Sequence, residues 1–167
     1  MYYNRPDNVL GKNRSALVYE GCRLIFEGQD PTLAAQYFQQ AANDGRSFAL
    51  LCLGICHLHG IGVPQDPALA FQCFVTADVN EQTPGAKVCV ALCYLGGYGV
   101  PKNWAQGWVL MEFAAQRGHS LAQFIMGLRY TVSGDRQKAI NYFQWCRGDR
   151  TLGQAARMML NDLGVAP

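Results

Sequence analysis

"LHGIGVPQD" at residues 58–66 and "LGGYGVPKN" at residues 95–103 specify nearly the same local structure twice, 37 residues apart. Each stretch has a Gly-x-Gly pair followed directly by Val-Pro. Glycine adopts left-handed backbone conformations at little steric cost, and proline prevents a helix from continuing. The two stretches therefore predict a turn inside a unit that is itself repeated.

The same period extends outward from these two turns. "AAQYFQQAANDG" at 34–45 matches "GWVLMEFAAQRG" at 107–118, and "ALAFQCFVTA" at 68–77 and "KAINYFQWC" at 138–146 are weaker copies. About four units result, with degenerate units at both ends, as is usual where a repeat array meets water. The remaining landmarks recur at steps of 36 or 37 residues: Ala49, Ala86 and Ala122, then Gly54, Ala91 and Gly127, then His57, Tyr94 and Tyr130.

Each unit is predicted to contain two helices. Asp30-Pro31 and Asp66-Pro67 place a capping carboxylate before a proline at the first helical position, and Asn103 has the same place before Trp104. Glycines end the helices. The second helices are expected near 31–43, 67–78, 104–117 and 135–147, the first helices near 16–27, 49–59, 86–96 and 121–132, and a final helix at 151–163.

The third unit, "AKVCVALCYLGGYGVPKNWAQGWVLMEFAAQRG" at 86–118, resembles the Sel-one-like repeats, relatives of the tetratricopeptide repeat. It departs from that family's pattern at Ala91, where Gly is usual, and at Gly107, where Ala is favoured; the second unit has His57 in place of Tyr. The resemblance implies an all-α fold, a right-handed superhelical solenoid of about four helix pairs that serves as a scaffold for protein–protein contacts. It also implies a bacterial source.

This interpretation divides the chain into three parts. Residues 1–15 form an N-terminal arm, and residues 148–167 form a C-terminal capping helix and tail. The repeats between them occupy about 16–45, 49–78, 86–118 and 121–147.

Composition narrows the class of partner. Half of the residues are hydrophobic and 16% are charged, which is typical of a packed protein, and a net charge of +2 is too small to indicate nucleic acid. The charge is uneven, however, and the basic stretch at 117–157 is either a solvated outer face or a site for an acidic partner. Its seven basic residues, against Asp135 and Asp149, are Arg117, Arg129, Arg136, Lys138, Arg147, Arg150 and Arg157.

Seven cysteines and the pattern of the N-terminus favour a cytoplasmic protein. "MYYNRPDN" has neither the basic nor the apolar region of a signal peptide, and the most apolar stretch, "FALLCLGIC" at 48–56, is too short to span a bilayer. We therefore expect reduced thiols and no membrane association.

No motif indicates catalysis, a cofactor or a metal. Cys52/Cys56 and Cys89/Cys93 are i,i+4 pairs that share a helix face, but both pairs occupy the same phase of the repeat, where small apolar residues are needed for packing. "GIGVPQ" and "GYGVPK" lack the preceding strand and the Gly-Lys-Ser/Thr of a phosphate loop. His119, in a turn between repeats, is expected to be solvated or to cap a helix. The chain is therefore predicted not to be an enzyme and to bind no small-molecule substrate.

The first helices of units two and three are apolar on every side, which is unusual for a face exposed to water. In the family's geometry the concave face of the solenoid takes positions i, i+4 and i+7 of each first helix, and eleven of these twelve positions are apolar. Those predicted to bind a partner are Ile25, Leu51, Ile55, Leu58, Val88, Leu92, Leu95, Phe124 and Leu128; the others are Val18, Cys22 and Thr131.

Two interpretations of this apolar face remain open. Its side chains either contact each other or are covered by the chain's own ends, "MYYNRPDNVL" at 1–10 or the helix at 151–163. Alternatively, another protein lays an apolar segment on the face, for example an amphipathic helix. The sequence thus predicts a non-enzymatic protein-interaction module, an adaptor or regulator. The alternative is a dedicated inhibitor or immunity protein that neutralises a toxin or effector.

Overall fold

The computed structural model describes residues 14–165, and the side chains of residues 16–165. Within this range the chain forms nine α-helices and no strand. Residues 1–13 of the predicted N-terminal arm lie outside the described residues. The helices are α1 (Arg14–Phe26), α2 (Pro31–Asn43), α3 (Ser47–His59), α4 (Pro67–Glu81), α5 (Pro84–Gly96), α6 (Trp104–Gln116), α7 (Ser120–Ser133), α8 (Arg136–Cys146) and α9 (Gly153–Asp162).

The helices pack as successive pairs, α1 with α2, α3 with α4, α5 with α6 and α7 with α8. The chain divides into two compact units. In the first unit α2 also packs on α3; in the second, α6 packs on α7 and α8 on α9. The first unit ends at Gln82 but includes the loop Tyr98–Pro101, and the second comprises Thr83–Gly97 and the residues from Lys102 onward. None of the helices within residues 14–165 combines the length and apolar character that crossing a membrane requires.

The second helices begin at the predicted caps. The Asp30 carboxylate accepts a hydrogen bond from the Leu33 amide at 2.9 Å, and the Asp66 carboxylate accepts one from the Leu69 amide at 3.0 Å. Each carboxylate satisfies an amide that has no partner within its helix, and the proline that follows has no amide hydrogen to satisfy. The predicted starts of α2 and α4 are confirmed.

The junction between α4 and α5 differs most from the prediction. α4 was expected to end near residue 78, but it continues to Glu81 and ends at Gln82, which adopts a left-handed conformation with φ of 49°. α5 then begins at Pro84 rather than near residue 86, because the Thr83 hydroxyl caps it by accepting from the Ala86 amide at 3.2 Å. Thr83-Pro84 is the same kind of start signal as Asp30-Pro31, with a hydroxyl in place of the carboxylate.

The repeated Gly-x-Gly turn contacts the preceding helix pair. The second glycines, Gly62 and Gly99, have φ of 69° and 68°. A Cβ added to Gly62 would lie 1.9 Å from the carbonyl oxygen of Pro31, and one added to Gly99 would lie 1.9 Å from that of Pro67. Each turn therefore rests on the first residue of the second helix in the preceding pair, and only glycine can approach so closely.

Inside three of the four pairs a first-helix glycine lies against a second-helix phenylalanine. A Cβ added to Gly54 would be 2.5 Å from the Phe74 ring, and the same geometry recurs with distances of 2.6 Å at Gly21 and Phe38 and at Gly127 and Phe143. In the third pair both residues change together, to Ala91 and Met111, which belong to one buried cluster. The core of each pair therefore holds either a glycine and a flat ring or an alanine and a flexible thioether.

Candidate partner-binding surface

The first helices have one fully buried side. In α3 this side carries Ala49, Leu53 and Cys56, which are 0%, 4% and 1% exposed. They are spaced i, i+4 and i+7, so they form one stripe, and they belong to a core cluster with residues of α2 and α4. The remaining sides of α3 carry further apolar residues, of which Leu50 and Cys52 pack against the edge of the same cluster.

Three equivalent positions on the first helices expose a branched apolar side chain. Ile55 in α3 is 43% exposed, and Leu92 in α5 and Leu128 in α7 are each 39% exposed. Each residue directly follows the small residue at which its helix packs against the second helix of the pair, which turns the next side chain outward. The first unit presents Ile55, and the second unit presents Leu92 and Leu128.

Five other predicted residues, Ile25, Leu51, Leu58, Leu95 and Phe124, are half-buried. Leu95 leans on Gly107, where an added Cβ would lie 2.7 Å from the Leu95 Cγ. The Phe124 ring packs edge-on against the buried Phe143 ring at 5.6 Å. Ile25, Leu95 and Phe124 pack against the core clusters. All five side chains leave part of their surface accessible.

Val88 is not on the exposed face, and its assignment to a partner-binding set is wrong. Val88 is 2% exposed and belongs to a core cluster with Met111 of α6 and Met126 of α7. The equivalent residues Leu51 and Phe124 have longer side chains and are half-buried, whereas the shorter valine side chain is fully covered. A partner could not contact Val88 without opening the core.

Sequence reasoning missed two exposed residues on the same face. Phe48 is 60% exposed and lies seven residues before Ile55; Leu121 is 38% exposed and lies seven residues before Leu128. Residues seven apart share a helix face, so extending the predicted stripe by two turns toward each helix N-terminus would have found both.

In the first unit this face contains a cavity of about 390 Å³ between α1 and α3. Its walls are Val18, Tyr19, Cys22, Arg46 and Phe48. Tyr19 is 67% exposed, so an aromatic ring stands at the rim beside the Arg46 guanidinium. The cavity is large enough to accept an apolar side chain of a bound segment.

The C-terminal helix packs on a second helix. α9 contacts α8 and buries Ala156 and Leu160 in a cluster with Phe143 and Cys146. This placement matches a cap on the last helix pair. The other segment that the sequence suggested as a cover for the apolar face, residues 1–10, lies outside the described residues.

Four of the seven cysteines, Cys56, Cys73, Cys93 and Cys146, are buried, and the other three are half-buried. Burial raises the pKa of the Cys89 thiol to about 11, and burial together with the neighbouring Cys89 raises that of Cys93 to about 11. Such thiols stay protonated at neutral pH, which makes them weak nucleophiles. Among residues 14–165 no three His, Cys, Asp or Glu side chains are grouped so that they could hold a metal ion.

One carboxylate in the second unit lies between two phenols. The hydroxyls of Tyr142 and Tyr130 donate to Glu112 Oε1 at 3.2 Å and 3.5 Å. Burial, reinforced by the Glu112 charge, raises the pKa of Tyr142 to about 12. A phenol so far from its ionised form is a hydrogen-bond donor rather than a base, and the cluster ties α6 to α7 and α8.

His119 caps α7, as one of the two expectations had it. Its Nδ1 accepts a hydrogen bond from the Ala122 amide at 3.4 Å. Burial lowers the pKa of the imidazole, and the charge of Asp149 opposes that shift. A neutral imidazole is needed for this bond, since a protonated ring has no acceptor nitrogen.

The Sel1 repeat model matches residues 23–45, 47–77, 86–119 and 120–144. Two bacterial structures share the fold. A Sel1 repeat protein from Oxalobacter formigenes has a TM-score of 0.79 and 23% identity, over 92% of this chain and 46% of that one. The protective antigen c5321 of uropathogenic Escherichia coli, described as displaying an SLR fold, has a TM-score of 0.67 and 23% identity, over 90% of this chain and 32% of that one.

A third structure, the immunity protein Pa5087 from Pseudomonas aeruginosa, has a TM-score of 0.46 and 17% identity, over 98% of this chain and 82% of that one. This similarity is too low to support an argument about function. No functionally curated protein matches the sequence significantly. This chain spans less than half the length of the first two structures. At 23% identity, the similarity to them shows the fold alone.

Three of the matched segments, 47–77, 86–119 and 120–144, span most of the pairs α3–α4, α5–α6 and α7–α8, whereas the segment 23–45 covers α2 and only the end of α1. Together the four segments cover more than half of the chain and include both Gly-x-Gly-Val-Pro turns. The all-α helical-repeat fold predicted from the sequence is confirmed. The chain belongs to the Sel1 repeat family.

Proposed function

We propose that this protein is a non-enzymatic adaptor or regulator of the cytoplasm that binds a partner protein on the exposed face of its first helices. The observation that carries the proposal is the exposure of Ile55, Leu92 and Leu128 at one equivalent position in three successive repeats. Sel1 repeat proteins generally act in protein–protein interaction, which agrees with this proposal. The partner is a protein rather than a nucleic acid, a membrane or a small molecule.

The chemistry of the face favours an apolar segment as the bound element. In the second unit nearly two fifths of the surface of each of Leu92, Leu121 and Leu128 is exposed. Leu95 and Phe124 on the same helices are half-buried. A leucine of this kind is held in place by its buried part, so it loses little rotamer freedom when a partner covers the rest. In the first unit the cavity beside Phe48 adds a site for a projecting side chain.

Charge substitution on the face tests the proposal. Leu92→Glu and Leu128→Glu should fold, because a glutamate at a position that is 39% exposed keeps its carboxylate in water. Each should cost about 1–2 kcal/mol of stability for the lost apolar burial. A bound apolar segment would trap the same carboxylate without a partner, which costs several kcal/mol and should abolish binding.

The matched control is Val109→Glu in α6, which introduces the same charge at a residue that is 64% exposed on a second helix. The assay is chemical crosslinking followed by affinity capture from the native cells, with thermal melting of every variant. A partner that Leu92→Glu and Leu128→Glu lose and Val109→Glu retains supports the proposal. A partner that both leucine variants retain, while folded, refutes it.

The captured partner also distinguishes the two roles that the sequence left open. Several unrelated partners that depend on the same face identify an adaptor or regulator. A single toxin or effector whose activity the protein suppresses identifies a dedicated inhibitor instead.

A further inference from the structure

The end of the second unit carries positive charge that its own acids do not neutralise. Asp135 forms an ion pair with Lys138 at 3.1 Å and caps α8, so it is already engaged. Within the described residues Arg147, Arg150 and Arg157 form no ion pair. A surface of this kind attracts anionic groups.

Two other acids lie at this end of the unit: Asp162 is exposed at the end of α9 and does not line the cavity described below, and Asp149 is engaged in hydrogen bonds. The Asp149 carboxylate accepts hydrogen bonds from the amide and the hydroxyl of Thr151, at 2.8 Å and 2.7 Å, and from the Leu152 amide at 2.9 Å. These bonds hold the pKa of Asp149 well below its ordinary value, so its charge is committed to the turn at 147–152. The turn is thereby fixed by its own side chains.

The same turn positions two arginines at one edge. Arg157 Nη1 donates to the Arg147 carbonyl oxygen at 2.9 Å, which holds the two residues together. Gly153 begins α9 directly over that carbonyl, since an added Cβ would lie 2.5 Å from its oxygen. The backbone of Arg147 and the guanidinium of Arg157 are therefore ordered before any ligand arrives, which lowers the entropic cost of binding.

Arg147 and Arg157 border a cavity of about 580 Å³ between the turn that follows α8 and the helix α9. Its apolar lining includes Met158, Leu160 and Val165. Met158 is 58% exposed, so the apolar surface is open to a ligand, whereas Leu160 is 5% exposed and forms the base. The volume lies within the range of sites that bind small ligands or a few side chains of a peptide.

We propose that this cavity binds an acidic segment of a partner protein, with one apolar side chain in the cavity and flanking carboxylates on Arg147 and Arg157. Charge complementarity selects the occupant: the guanidinium is a planar donor that suits a carboxylate, and the apolar lining requires a side chain that a free anion lacks. This site lies on α9 and the turn before it and does not depend on the face of the first helices.

The test measures peptide binding by fluorescence anisotropy. The probe is a short fluorescein-labelled peptide with Leu-Phe at its centre and Asp and Glu on both sides; its control has Asn and Gln at the acidic positions. The acidic peptide should bind more tightly, and Arg147→Gln and Arg157→Gln should each weaken it by about fivefold or more, as expected for loss of a charge-assisted hydrogen bond. Met158→Ser should weaken both peptides.

Arg150→Gln is the matched control, since Arg150 is exposed in the same turn, carries the same charge and does not line the cavity. It should change the affinity by no more than about twofold, the effect of general attraction. Amide chemical shifts of the bound protein should move in α9 and the turn at 147–152, and thermal melting of each variant separates lost binding from lost folding.

Four results would overturn the proposal. Equal binding of the acidic and the neutral peptide would remove the role of charge, and an equal loss in Arg150→Gln and Arg147→Gln would remove the site. Tighter binding of a single-stranded oligonucleotide or of phosphatidylserine vesicles, lost in Arg147→Gln, would assign a different anion. If peptide binding appears only after residues 166–167 are deleted, or if the protein self-associates and Arg147→Gln abolishes this, the cavity is occupied by a segment of this chain or of a second copy.

Discussion

Gly54→Ala should destabilise the protein, although the same change in a helix interior normally stabilises it. Alanine gains about 1 kcal/mol over glycine from helix propensity. At this site, however, the new Cβ would lie 2.5 Å from Cε1 and 2.8 Å from Cδ1 of Phe74, far inside the normal contact distance. Phe74 is 2% exposed, so the ring has no free space to move into. Overpacking of this kind costs about 1–3 kcal/mol, which leaves a net loss of up to about 2 kcal/mol.

The third helix pair supplies the compensating change. Ala91 stands in the place of Gly54 and Met111 in the place of Phe74, and both are fully buried there. Phe74→Met alone should destabilise, because the smaller side chain leaves a void beside the glycine. In the double variant the alanine methyl fills that void, so its loss of stability should be smaller than the sum of the two single losses by about 1–2 kcal/mol.

Equilibrium urea unfolding of the wild type, both single variants and the double variant measures this coupling. Gly85→Ala is the control, because the nearest atom to its added Cβ is His119 Nε2 at 3.7 Å, an ordinary contact. That variant should be neutral or more stable by up to about 1 kcal/mol. If the losses at Gly54 and Phe74 add to within about 0.5 kcal/mol, the close packing of glycine and ring does not explain the exchange in the third pair.

Two further perturbations test the turn and the cap. Gly99→Ala should lower the free energy of unfolding by about 3 kcal/mol or more, since a positive φ is combined with a clash against a carbonyl oxygen. Gly28→Ala, where φ is 65° but the surrounding space is open, should cost only the backbone strain. Equal losses in the two variants would contradict the contact between Gly99 and Pro67. The lowered pKa of His119 means that the unfolded chain takes up the proton first, so thermal stability should fall as pH drops below the ordinary value of 6.5. In His119→Asn, which caps without titrating, that part of the pH dependence should disappear, and its persistence would assign it to another group.

The architecture was predictable because its signals are local. A capping side chain, a proline at the first helical position and a glycine at the helix end each act within a few residues, and the repeat multiplies the evidence. The error at the end of α4 has the same origin. Gln82 closes that helix in a left-handed conformation without being glycine, so the sequence carries no closing signal there. Thr83-Pro84 was a signal that the prediction overlooked.

Contacts between repeats were less accessible to sequence reasoning. The sequence indicated that each turn needs its second glycine, but it did not show that Gly62 and Gly99 lie against the carbonyl oxygens of Pro31 and Pro67. That contact joins residues more than thirty positions apart, and no local pattern specifies it. The arginine-bordered cavity is similar, because the sequence showed an excess of charge while the turn at 147–152 decides that Arg157 meets Arg147.

The depth of a side chain explains why the candidate surface was predicted only in part. Periodicity determines the direction in which a residue points from its helix, and it assigned Leu51, Val88 and Phe124 to one position. The exposed fraction also depends on side-chain length and on the neighbouring helices, so Leu51 and Phe124 are half-buried while Val88 is 2% exposed. Ile55, Leu92 and Leu128 each follow a small packing residue and are exposed, whereas Cys22, which follows Gly21 in the first pair, is half-buried. In the second to fourth pairs, the position next to the small packing residue therefore predicts an exposed apolar side chain better than the apolar stripe as a whole.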